Sequence, residues 1–117
     1  MTAKPLGPYT PVVASGEWVV CSGQLGMQDG ALVAGGVSAE TTRAVANLAA
    51  LLESQGASLS DIVKTTVFLT NMDDFATMNE AYVAAFGDHR PARSTIGVAA
   101  LPVAGAAVEI EAWARKG

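Results

Sequence analysis

An α+β domain built on a single sheet, with two helices on one of its faces, is the fold class that three observations predict. Stretches of alternating apolar and polar residues occur near both ends and in the middle of the chain. Two other stretches repeat their apolar residues at helical spacing. The order is several strands, a helix, a strand, a helix and two strands, which suits one mixed or antiparallel sheet rather than a regular βαβ array. Residues 1–117 are read as one domain, with 1–8 as an N-terminal arm because Pro5, Gly7 and Pro8 break any regular element there.

A strand is expected from Tyr9 to Ala14, closed by Ser15-Gly16-Glu17, and Trp18 to Ser22 is expected to return beside it. Val19, Cys21 and Gly23 share one face of that strand; Trp18, Val20 and Ser22 share the other. Ser22-Gly23-Gln24 would end it where a backbone can approach a ligand closely. Asp29-Gly30 is a two-residue hairpin signal between Leu25–Gln28 and Ala31–Val33. Ser38 is a natural N-cap, with Glu40 in the first turn of a helix whose face is Val45, Leu48, Ala49 and Leu52; Gly56 would end it.

Ile62 to Thr70 is the clearest strand, with Val63, Thr65, Val67 and Leu69 alternating against Lys64, Thr66, Phe68 and Thr70. Asn71, Asp73 and Asp74 compete to cap a second helix with the stripe Phe75, Met78, Tyr82, Ala85 and Phe86, stopped by Gly87. Two strands follow, around Arg93–Val98 and Val108–Ala112. Two helices cover one sheet face. The other would carry Phe68 and Trp113 beside Thr66 and Glu109, a surface that self-association would cover.

Half the residues are hydrophobic, 15% are charged, and the net charge is -4, which argues against a nucleic-acid partner. No apolar run reaches membrane-spanning length and the first residues do not form a signal peptide, so the expected setting is cytoplasmic. Cys21 is the lone cysteine and suits a reducing compartment. A lone His89, without a second histidine or a cysteine cluster, gives no expectation of a metal site. There is no phosphate-binding or dinucleotide fingerprint.

Two ionic residues stand where a sheet core does not ask for them. Arg93 heads one late strand and Glu109 lies inside the next. A guanidinium is a planar fork that matches a carboxylate bidentately, and a carboxylate can hold and polarise a water. If those strands are neighbours, they frame an anion clamp and an acid/base group across one cleft. Each residue also has a plainer reading, as an exposed charge for Arg93 and a solvent-facing strand residue beside Glu111 for Glu109. Tyr9, Ser22 and Cys21 likewise read most simply as a packing residue, a polar strand end and a small core residue.

Gly7-Pro8-Tyr9-Thr10, Ser22-Gly23-Gln24, Asp61–Leu69, Asp74-Phe75, Asn79-Glu80, Pro91-Ala92-Arg93-Ser94 and Val108–Ala112 together resemble the Rid family, the YjgF-like reactive intermediate deaminases. The resemblance runs from Gly7 to about Ala114 with the motifs in order. It implies a chorismate-mutase-like fold, a homotrimer with ligand clefts between subunits, and no metal or organic cofactor. It implies hydrolysis of enamines and imines of the 2-aminoacrylate and 2-iminopropanoate type to 2-keto acids and ammonia.

Carried over to this chain, Arg93 would clamp the substrate carboxylate and Glu109 would hold the attacking water. Tyr9, Ser22, Gly23 and Thr95 would line the cleft. The loop Gly87-Asp88-His89-Arg90 is shorter than in many members of the family; Arg90 reads most simply as a solvated charge, its alternative being a second cation that would favour acidic or longer imines. Two other readings keep the fold. One is a non-catalytic carboxylate-binding or regulatory protein; the other is a dedicated deaminase of a degradative pathway.

Overall fold

Alternation along the strands sorts side chains into a helix-facing layer and an open layer. The computed structural model describes residues 5–117, so the first four residues of the expected arm lie outside the described residues. Strands β1 (Val12–Ser15) and β2 (Trp18–Leu25) form a hairpin. The short pair β3 (Met27–Gln28) and β4 (Ala31–Leu32) turns at Asp29-Gly30, both with positive φ, as that dipeptide predicts. Then come α1 (Gly36–Glu53), β5 (Ile62–Leu69), α2 (Phe75–Phe86), β6 (Ala92–Gly97) and β7 (Val108–Arg115).

The main sheet has five strands in the order β1-β2-β7-β5-β6. β5 and β6 are parallel, with α2 as their crossover; the other pairs are antiparallel. The core lies between this sheet and the helices. Val45, Leu48 and Leu52 of α1 and Met78, Tyr82 and Phe86 of α2 pack against Val19, Ile62, Val67, Leu69, Val108 and Ile110. Each large aliphatic side chain so buried contributes about 1.5–3 kcal/mol over exposure. Among the described residues, no helix is long and apolar enough to cross a membrane.

Several expectations are corrected. β1 begins at Val12 rather than Tyr9, because Pro11 has no N–H to give a ladder and its carbonyl instead accepts from Ser22 N at 2.8 Å. β2 does not end at Ser22; a register shift between Cys21 and Gln24 carries it on to Leu25. A second shift between Ile62 and Lys64 breaks the expected alternation of β5, leaving Val63 47% exposed while Thr65, Val67 and Leu69 stay buried.

Helix α1 starts one turn early, capped by Gly35, with Ser38 inside it. Glu40 is not a solvated first-turn acid. It is 3% exposed, and its Oε1 accepts from Ala107 N at 2.7 Å, tying α1 to the entry of β7. Of the three cap candidates before α2, Asp74 takes the N-cap position without a side-chain bond, while Asn71 caps a short 3-10 turn ahead of the helix, its Oδ1 accepting from Asp73 N.

Candidate active site

The register decides which functional residues meet. β6 and β7 are not neighbours: β5 runs between them, pairing Arg93 with Thr65 on one side and Glu109 with Phe68 on the other. Thr65 is on the buried, helix-facing side, whereas Phe68 belongs to the open side. Arg93 and Glu109 therefore lie on opposite faces of one sheet. The single-chain cleft expected from adjacent strands does not form, because two residues of opposite strand parity cannot share a face.

Arg93 projects from the edge strand onto α2. Its Cζ lies 4.9 Å from the Tyr82 ring centroid and 5.7 Å from that of Phe75. Among the described residues the ion pair present is Arg115–Glu17, so no carboxylate of the described chain neutralises Arg93. A guanidinium held by its faces keeps its N–H edges available for a ligand. Thr95, two residues on, pairs with Val67 and shares Arg93's face, half-buried.

Glu109 stands on the open face against the β2 bulge. A Cβ built on Gly23 would come within 2.7 Å of Glu109 Oε2, so only glycine lets the carboxylate approach this close to the strand. The bulge thus turns Gly23 towards Glu109, not onto the Cys21 face as simple alternation predicts. Partial burial, and then the Glu111 carboxylate two residues along, push the Glu109 carboxyl above its ordinary value.

Ser22 Oγ donates to Thr10 O at 2.7 Å and pins the N-terminal segment to β2. Tyr9 is exposed, and its hydroxyl accepts from Leu6 N at 3.1 Å. Tyr9 and Gly23 both line a groove of about 690 Å³ that reaches Arg43 and Asn47 of α1. Asn47 holds the far wall, with Nδ2 donating to Leu25 O and Met27 O while its Oδ1 accepts from Arg43 Nε. Gly23 with Glu109 and Arg93 with Thr95 thus form two separate halves on different sides of the sheet, while Tyr9 and Ser22 stand at the N-terminal segment beside β2.

Three other polar groups are accounted for. Burial pushes the Cys21 thiol up to about 11, so it is not a thiolate nucleophile at neutral pH. His89 Nε2 contacts Ile62 O at 2.8 Å. Arg90 is not a second cation in a cleft: its Nη1 donates to Gly87 O and His89 O, closing the loop on itself. A guanidinium four residues past the end of a helix finds unpaired carbonyls nearer than any ligand. Among the described residues, no three His, Cys, Asp or Glu side chains gather as a metal site. The sequence reading missed the aromatic seat of Arg93. Phe75 and Tyr82 are seven apart on the α2 stripe, a spacing indistinguishable from core packing.

The chain matches the family model described as Endoribonuclease L-PSP over residues 1–116. A RutC family protein of Pyrococcus abyssi is 41% identical over 115 residues, which are 97% of this chain and 90% of its own. The human protein named 2-iminobutanoate/2-iminopropanoate deaminase is 42% identical over 114 residues, 96% of this chain and 82% of its own. The crystal structure of RidA from the Antarctic bacterium Psychrobacter sp. has a TM-score of 0.91 at 39% identity, covering 97% of this chain and 93% of that one. These likenesses span nearly the full chain, and they agree with the α+β sheet. The chain belongs to the Endoribonuclease L-PSP family, that of the YjgF/RidA proteins.

Proposed function

We propose that this protein is an enamine/imine deaminase that converts 2-aminoacrylate-type and 2-iminopropanoate-type substrates to 2-keto acids and ammonia, working as a cytoplasmic homotrimer. The observation that carries the reading is Arg93, a guanidinium seated on two rings with no carboxylate of the described chain to neutralise it. Relatives about 42% identical bear the name of this activity. The net charge of -4 fits a small substrate captured by one local cation rather than a polyanion.

The chemistry asks little of the protein. An enamine becomes the imine by moving a proton from its nitrogen to its terminal carbon. An imine carbon is already electrophilic, so orientation and one proton manager suffice. Arg93 clamps the carboxylate with its free edges. Glu109, ionised, takes a proton from water as the oxygen bonds to the imine carbon. Glu109 returns that proton to the nitrogen to give the carbinolamine. The carbinolamine hydroxyl gives up its own proton to the nitrogen as the C–N bond breaks, so ammonia leaves and the keto group remains. Tyr9, Ser22, Gly23 and Thr95 shape the cleft around these two groups.

The same geometry supports self-association, which the proposed trimer supplies. Arg93 and Glu109 occupy opposite faces of one sheet, so a cleft containing both requires Glu109 from one copy and Arg93 from another. The open face is apolar enough to associate: Trp18 and Trp113 stack edge-to-face at 6.2 Å and stay 40% and 48% exposed, and Val13 and Ile96 are exposed as well.

The test is release of ammonia and keto acid from freshly generated 2-aminoacrylate and from bulkier imines. Arg93→Ala should lose about 3–5 kcal/mol in kcat/KM and bind 2-keto acids poorly, while Glu109→Gln should bind them and turn over slowly. Wild-type turnover in both variants would dismiss the site. A wild-type protein that binds keto acids through Arg93 yet hydrolyses no imine would instead be a carboxylate-binding protein.

A further inference from the structure

The cation at the centre of the proposed site is held from behind by a buried linkage. Thr65, paired with Arg93 across β5 and β6, is fully buried, and its Oγ1 lies 2.7 Å from the Tyr82 hydroxyl. Tyr82 is itself buried, and its ring lies beneath Arg93 Cζ at 4.9 Å. The path closes on itself: Arg93 backbone, Thr65 across the ladder, the Tyr82 hydroxyl, the Tyr82 ring, and back to the Arg93 guanidinium. Phe75, half-exposed two turns earlier on α2, adds a second ring at 5.7 Å.

We propose that Tyr82 and Phe75, with Thr65 anchoring the first, are positioning residues that set the plane of the Arg93 guanidinium for a bidentate carboxylate. The proposal rests on Arg93 being the carboxylate clamp. Three physical reasons support it. Arg93 stands on an edge strand, where a long side chain otherwise samples many rotamers. A carboxylate partner would steady the guanidinium but occupy the N–H edges that a substrate needs; aromatic faces steady it and leave those edges free. A phenol whose hydroxyl is bonded inside the core cannot slide along the helix, so it fixes position as well as orientation.

Phe75→Leu should therefore raise KM, and weaken 2-keto acid binding in calorimetry, by about three- to tenfold, with kcat changed less than twofold. Phe75→Trp, which keeps a ring, should restore both. Tyr82→Phe and Thr65→Val each cut the same hydroxyl pair. Each should raise KM severalfold, and the double variant should do no more than either alone. Thermal melts show whether each variant is folded; Phe75, being half-exposed, decides the matter if the core variants are not.

Phe75→Leu with wild-type KM and keto-acid affinity, in a protein that Arg93→Ala inactivates, overturns the positioning role. So does equal loss in Phe75→Leu and Phe75→Trp, or a fall in kcat with KM unmoved. Arg93→Ala with wild-type kinetics overturns the clamp itself, a result the ring variants cannot mimic.

Discussion

Glu109 has its titration set by position rather than by type. Burial first, and Glu111 second, raise its carboxyl above the ordinary 4.5. A raised value favours the neutral form in the fold. The associated stability is present in full below about 4.5, and it is lost as pH rises from there through the folded value. Activity that needs the ionised carboxylate should run the opposite way, rising with pH through that same raised value. The acid limb of kcat/KM should thus lie above the ordinary carboxylate range, and Glu111→Gln should move it downward. A pH–rate profile that Glu111→Gln leaves in place would show that the limb belongs to another group.

At the scale of elements, the junction between α1, the turn after β2 and the start of β7 is drawn tight by a glycine and a buried acid. A Cβ on Gly26 would lie 2.6 Å from Glu40 Cα, a backbone atom of α1 that cannot step aside. Glu40 in turn reaches Ala107 N at the head of β7. Gly26→Ala should force α1 outward and cost about 1–3 kcal/mol, read as a lower denaturation midpoint in urea. An unchanged midpoint would mean that the helix has slack the packing does not suggest.

The whole molecule presents one covered sheet face and one open face, and the proposed assembly places the second against other copies. Trp113→Asp would set a carboxylate on the open face near Glu111, in line with Trp18. Burying that charge without a partner costs several kcal/mol, so the variant should sediment as a monomer where the wild type sediments as a trimer. It should also lose deaminase activity, since the proposed cleft draws Arg93 and Glu109 from different copies. A monomeric wild type at micromolar concentration, or an active monomeric variant, would remove the shared cleft.

Local rules settled much of this protein from its sequence alone. Alternation marked β5 and β7, helical spacing marked both helices, and Asp29-Gly30 marked its hairpin, because each is decided by residues close together in the chain. The open face with Phe68, Trp113, Thr66 and Glu109 was legible for the same reason. Residue type singled out Arg93 and Glu109, though not their relation. That depended on strand order, since inserting β5 between β6 and β7 is a long-range choice that no local pattern encodes. Strand parity then placed the two charges on opposite faces. The register shifts in β2 and β5, the burial of Glu40 and the capture of Arg90 by its own loop carbonyls are of the same kind. Each turns on which atoms come within hydrogen-bonding or contact distance once the layers pack, and that is decided by the tertiary structure.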